Sequence, residues 1–284
     1  MQFGEFELFT VSDGLFRLDG GAMFGVVPRV LWEKTNIPNS KNRILLGLNC
    51  LLIKSAKDIM LVDTGIGNLY DEKFLRMFEI DQSVNLRTDL QKAGVRAEDV
   101  TKVILTHLHF DHSGGNCKRN KHGELVPAFP NAVYYFQKGE FDYAKNPDAR
   151  SRGSYLKQNW EAVEKYGQLQ LLDGDTEITP GVSVEITGGH TEYHQIVKIV
   201  SDGKTACFLA DLVPTNSHLK TAYVMGYDLF PKTTMESKAR VLKQALAENW
   251  LLFFEHAPVV KAGYLQEKDG RLTVEKVDMS LKEK

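Results

Sequence analysis

The chain has 284 residues, 43% of them hydrophobic and 25% charged, the balance of an ordinary globular protein long enough to bury a large core. Its formal net charge of −2 excludes the basic footprint needed to hold a nucleic-acid backbone. No window approaches the roughly eighteen consecutive apolar residues of a membrane span. The three cysteines, Cys50, Cys117 and Cys207, are too few for a disulfide framework and lack zinc-ribbon spacing, so they read as reduced core thiols of a cytoplasmic protein.

The first eight residues have no basic segment followed by an apolar run, and no secretory leader is expected. Residues 5–18 alternate polar and apolar on either side of Asp13-Gly14, a hairpin signal. The glycine-rich stretch 20–28 lacks the Lys and Ser/Thr of a phosphate cradle and reads as a mobile flap over a pocket. A second hairpin is expected from 46–53 and 59–62, and its second arm runs into Asp63-Thr-Gly. Asp63 has two readings, a turn-capping carboxylate or an acceptor that orients a ligand histidine. Residues 70–93 carry a helical pattern that ends at Gly94, followed by a buried strand at 102–105.

That strand opens onto Thr106-His-Leu-His-Phe-Asp-His112, where three of the chain's eight histidines fall in six residues beside an aspartate. Alternate side chains at a strand end converge, so His107 and His109 face one point, and Asp111 and His112 a second point close by. Imidazole and carboxylate together suit zinc, with iron, manganese and cobalt as competitors. Ser113-Gly-Gly115 supplies the tight turn beneath.

Further along, a strand at 132–136, a short helix at 138–145 and a helix with one aromatic face at 154–166 precede closely spaced strands at 168–172, 176–178, 182–187, 195–201 and 204–210. Three more candidate ligands end apolar segments: His190 after Gly188-Gly189, Asp211 after Ala210, and His256 after Glu255. A buried unpaired Asp211 costs several kcal/mol, and a cation partner removes that cost. The whole fits one α/β domain over 1–284 with two facing sheets, two similar halves meeting near 125–130, and a fraying tail at 280–284.

With these residues in place the chain resembles the metallo-β-lactamase superfamily over nearly its whole length. The HxHxDH signature stands as His107, His109, Asp111 and His112, followed in order by Gly-Gly-His190, Ala-Asp211 and Glu-His256, with Asp63-Thr-Gly similar to the family's DTG element. The resemblance implies a four-layer αββα sandwich holding two divalent ions. His107, His109 and His190 would hold one ion, Asp111, His112 and His256 the other, and Asp211 would bridge them. It also implies a hydrolase in which a water shared by the ions attacks a carbonyl or phosphoryl centre, with Asp111 handling its proton.

Within the superfamily the segments 107–116, 210–218 and 223–231 look most like the acyl-homoserine lactonase and methyl-parathion-hydrolase branch. The expected substrate is a small, apolar lactone or ester, with organophosphate or aryl-ester hydrolysis as the alternative and a mononuclear iron dioxygenase as the alternative of another class. One departure concerns the oxyanion: those lactonases carry a Tyr shortly after the bridging Asp, where this chain has Pro214, so Tyr223 or Tyr227 is expected to stand in. His194 is a candidate support for a ligand and His218 a candidate for the pocket mouth. Phe24, Phe110, Met225 and Phe230 suit a pocket wall or, equally, a homodimer contact.

Overall fold

A computed structural model describes residues 1–279, and the tail expected at 280–284 lies outside the described residues. Two seven-stranded sheets face each other. The first runs, in spatial order, Gln2–Phe3, Phe6–Asp19, Arg43–Lys54, Ile59–Val62, Lys102–Ile104, Val133–Gln137 and Leu169–Leu172. The second runs Thr176–Thr179, Val182–Ile186, Gln195–Ser201, Lys204–Phe208, Leu251–Phe253, Ala262–Lys268 and Arg271–Lys276.

The layering follows from strands that are apolar on both faces. In Arg43–Lys54, Leu51 and Ile53 point between the sheets and meet Val184, Val197, Phe208 and Phe253. Their neighbours Cys50 and Leu52 point the other way, onto Leu86, Leu90 and Val163 of the flanking helices. The outer face of the second sheet, with Cys207, Leu252 and Phe254, is covered by Val241, Leu242 and Ala245 of helix Pro231–Ala247. Three apolar interfaces make four layers, and each fully buried Leu, Ile, Val or Phe contributes about 1.5–3 kcal/mol. This is the expected αββα sandwich.

Several local expectations are corrected. Residues 6–19 form one long strand rather than a hairpin: pairing with Arg43–Lys54 skips from Ser12 to Leu15 and then resumes. Asp13-Gly14 is a bulge, because the Asp13 carboxylate turns inward and accepts N–H bonds from Gly67 and Leu86. The expected flap at 20–28 is instead a short helix, Gly20–Phe24, capped by the Asp19 side chain and anchored by buried Met23 and Phe24. The helical pattern at 70–93 divides into Glu72–Phe78 and Leu86–Lys92, since Glu79 is left-handed and Asp81 leaves to bond Leu15. At 154–166 only Lys157–Asn159 and Glu161–Lys165 are helical, and Tyr155 and Trp160 pack into the core. The chain passes from one sheet to the other at 173–175, well beyond 125–130. Strands Val133–Gln137 and Leu169–Leu172 extend the first sheet by parallel pairing.

Candidate metal centre

Every candidate ligand follows the carboxyl end of a strand, at one rim of the sandwich where the sheets meet. His107 and His109 leave Lys102–Ile104, and Asp111 and His112 sit on the single helical turn Phe110–Ser113. Gly114 has an ordinary helical φ, and its lack of a side chain serves close approach: a Cβ there would lie 2.0 Å from the Ile66 carbonyl oxygen. Gly189 combines both needs, with φ +89° and a would-be Cβ 2.4 Å from Thr234 Oγ1. It turns the chain so that His190 faces inward. Asp63 and Ala210 take positive φ without being glycine, at 55° and 44°. Such strain, of order 1–3 kcal/mol each, gathers at sites whose surroundings hold the backbone in place.

The structure brings all seven residues together as two groups of possible ligand atoms: His107, His109, His190 and Asp211, and Asp111, His112 and His256. Asp211 touches both. Its Oδ2 lies 2.9 Å from His190 Nε2 and 3.5 Å from His112 Nε2, and its Oδ1 lies 3.2 Å from His256 Nε2. Ring nitrogens face each other at 3.0 Å between His190 and His109 and at 3.3 Å between His256 and His112. Lone pairs that close repel unless a proton or a cation stands between them. His107 Nε2 and Asp211 Oδ1 are buried without a hydrogen-bond partner, an uncompensated cost that a divalent ion at this point would remove. The donor set of imidazoles and carboxylates fits such ions.

Hydrogen bonds behind the rings settle which nitrogen faces the centre. His190 Nδ1 contacts Asp228 Oδ1 at 2.8 Å, and His256 Nδ1 donates to the Gly47 carbonyl at 2.9 Å. His112 Nδ1 meets Asp63 Oδ2 at 3.0 Å and Glu255 Oε2 at 2.9 Å. Asp63 also accepts from the Thr106 backbone and hydroxyl, so it orients a histidine rather than capping a turn. His194 uses Nε2 to accept the backbone N–H of Asp211 at 3.2 Å, with Nδ1 on the Thr187 hydroxyl.

Electrostatics in the protein alone point the same way. Burial lowers the His112 imidazole, but the carboxylates of Glu255, Asp211 and Asp111 outweigh it and hold the ring well above its usual pKa. His190, buried too, is pushed up to about 10 by Asp211 and Asp228. His107 and His109 lie well below the usual value, through burial and the neighbouring imidazoles. For Asp211 burial works upward, but the surrounding histidines win and keep it ionised. In the protein alone, protons on His112 and His190 balance the Asp211 carboxylate between them, the place where a cation would take over that role.

The model of the metallo-beta-lactamase superfamily matches residues 44–256, a span that contains all seven residues. The chain belongs to the metallo-beta-lactamase superfamily. It is 28% identical over 231 residues to an N-acyl homoserine lactonase of Bacillus cereus, a match covering 76% of this chain and 83% of the relative. A probable metal-dependent hydrolase from Staphylococcus aureus superposes with a TM-score of 0.89 at 30% identity, over 98% of this chain and 99% of that one. AidC, a dizinc quorum-quenching lactonase, superposes at 0.80 with 23% identity, covering 98% and 96% of the two chains; at that identity the likeness shows the fold.

A cavity of about 230 Å³ opens over this superfamily hydrolase's centre, reached by His109, Asp111, His190, Asp211 and His256. Phe110, Met225 and Tyr227 line it as well. Other expected wall residues do not. Phe24 is fully buried and stacked between Trp32 and His218, while its neighbour Met23 reaches the cavity. His218 is not at the mouth: it is buried, with Nε2 donating to the Met23 carbonyl and its pKa lowered to about 3 by burial. Phe230 is exposed and precedes helix Pro231–Ala247, and Tyr223 packs edge-on against Phe24, so neither lines the cavity.

Sequence reasoning passed over Asp228, Glu255, Glu140 and Arg150. Asp228 stood three residues before Pro231 in a segment read for its aromatic residues. Glu255 adjoins His256, and its buried position could have been suspected from the apolar run before it. Arg150 donates to the carbonyls of Gly226 and Asp228 across the cavity mouth and so holds the loop that carries Tyr227. Only the tertiary contact marks it.

Proposed function

We propose that this protein is a dinuclear metal-dependent lactonase that opens the ring of N-acyl homoserine lactones. The observation that carries the reading is the pair of ligand groups joined through Asp211 at the floor of a small cavity with apolar walls. The curated relatives named N-acyl homoserine lactonase, at 27–28% identity over about three quarters of the chain, support the substrate class.

In this reading His107, His109 and His190 would hold one divalent ion and Asp111, His112 and His256 the other, with Asp211 placed to serve both, and zinc first among zinc, manganese, cobalt and iron. The ions would supply an acidified water and polarise the scissile carbonyl. The protein's own groups do the rest. Asp111, whose oxygens lie 3.7 Å from His256 Nε2 and 4.0 Å from His112 Nε2, takes the proton of the attacking water and returns it to the ring oxygen as the ester bond breaks. That leaves an alcohol and a carboxylic acid, which loses its own proton to solvent and becomes a carboxylate.

Tyr227 is the oxyanion donor in place of the tyrosine that Pro214 replaces. Burial, together with Asp19, Asp111 and Asp211, raises its pKa and keeps the phenol protonated, able to donate a hydrogen bond. Leu18, Met23, Phe78, Phe110, Met225 and Leu229 form the wall for the acyl chain. The cavity lies below the roughly 300–1,000 Å³ typical of ligand pockets, which favours a compact ring with a short chain.

The test is hydrolysis by the zinc, manganese and cobalt forms, followed by acid release, on N-hexanoyl homoserine lactone, a plain aryl ester and a paraoxon-type triester. The lactone is expected to be the best substrate, with activity lost on chelation and restored by metal. Lactone opening that survives complete removal of metal, or a triester cleaved faster than the lactone by every metal form, rules the reading out.

A further inference from the structure

Glu140 lies in helix Lys138–Lys145 and is only 2% exposed. A carboxylate so placed is costly unless its oxygens are bonded, and the bonds it makes are instructive. Oε1 accepts the backbone N–H of Leu108 at 3.1 Å and the hydroxyl of Tyr155 at 2.8 Å, and Oε2 accepts the hydroxyl of Thr191 at 2.8 Å. Leu108 stands between His107 and His109. Tyr155 packs edge-on against the His109 ring, with centroids 4.8 Å apart. Thr191 follows His190.

All three bonds therefore reach the immediate neighbours of His107, His109 and His190, which come from two separate loops on different sheets. None reaches Asp111, His112 or His256. Those rings have their own supports, Asp63 and Glu255 behind His112 and the Gly47 carbonyl behind His256. We infer that Glu140 is a positioning residue for one half of the centre: it sets the separation between the His107–His109 loop and the His190 loop, and with it the metal affinity of that position alone. The inference rests on the dinuclear reading above.

Cobalt(II) titration of the chelated full-length protein, followed by calorimetry and by visible absorption, tests it without recourse to activity. The wild type is expected to bind two equivalents. Glu140→Ala should keep one at wild-type affinity and weaken the other by roughly 10- to 100-fold, the range for supports behind metal ligands. The retained equivalent also reports that the variant is folded. Glu140→Gln, whose carbonyl oxygen can still accept from Leu108 and Tyr155, should recover most of the lost affinity. In a His256→Ala background, which leaves only the His107 group complete, Glu140→Ala should remove the remaining tight equivalent. Thr191→Val removes a single bond and should give the same selective loss at smaller size, which keeps the test open if Glu140→Ala does not fold. Equal weakening of both equivalents, or of neither, overturns the proposal while leaving the dinuclear reading intact. A wild type that binds fewer than two equivalents overturns the dinuclear reading and this proposal with it.

Discussion

The two ligand groups sit side by side yet are supported in opposite ways. Behind His112 stand two buried carboxylates in direct contact with the ring, Asp63 and Glu255. Among the described residues His107 Nδ1 meets the Thr106 hydroxyl at 3.2 Å, and its loop is held at a distance by Glu140 through backbone, phenol and hydroxyl. On that side a carboxylate also stands behind a ring, Asp228 against His190 Nδ1. One position thus rests on two carboxylates against a single imidazole, while the other adds the geometry of two loops to the single Asp228 contact. The contrast teaches that ligands of similar type can owe their orientation to different physics, and that each half should fail separately.

The largest effect is expected where the contrast vanishes, at the shared residue. Asp211→Asn should lower lactone hydrolysis by at least roughly 10³-fold and reduce bound metal at both positions; a variant retaining two tightly bound ions would break the bridging assignment. Next comes Tyr227→Phe, expected to cost about 10²-fold in kcat, the scale for removing one oxyanion donor, with metal content unchanged. An equal loss in Tyr223→Phe would contradict the placement of that ring outside the cavity. Glu255→Gln should weaken one ion by roughly 10- to 100-fold and spare the position that Glu140 supports. Loss of the His107-side ion instead would reverse the comparison.

The last effect is on stability rather than on activity or metal binding, and concerns the loop that carries Asp63. Asp13, buried beneath it, accepts N–H bonds from Gly67 and Leu86, and burial pushes its carboxyl up from 3.8 to about 6. An acid whose folded-state pKa exceeds its unfolded value favours the folded chain when protonated. Its contribution is therefore fully present below about pH 4 and is lost as pH rises through about 6, an effect on the order of 3 kcal/mol. Melting of the metal-free protein compared with Asp13→Asn should show the wild type's advantage shrinking between pH 4 and 7. An advantage that grows with pH would refute a carboxyl raised by burial there.

Legibility differed by kind of residue. The seven candidate ligands could be found because metal chemistry restricts such residues largely to His, Cys, Asp and Glu, and because strand ends at apolar runs show where a polar side chain is out of place. Glu140 carried a fainter signal: in helix Lys138–Lys145 it shares a face with Ala144, four residues on, and that face is buried. Phe24 and His218 misled for the reverse reason. A glycine-rich, apolar segment reads as loose, yet Gly20 lies where a Cβ would come within 2.4 Å of the Trp32 ring, and that close packing makes the segment a core helix.

What the sequence determined by itself was an α/β domain with two facing sheets, which the family resemblance sharpened to four layers, and the identity and order of the candidate ligands, through residue chemistry that admits few substitutes. What only the tertiary structure decided was which groups stand behind those ligands and which side chains reach the cavity. Glu140 meets Leu108 and Thr191 across 32 and 51 residues of chain, and Asp63 meets His112 across 49. Contacts of that kind are set by how two sheets and their loops pack. Local pattern carries no record of that packing, because a buried carboxylate and an exposed one look the same until their partners arrive.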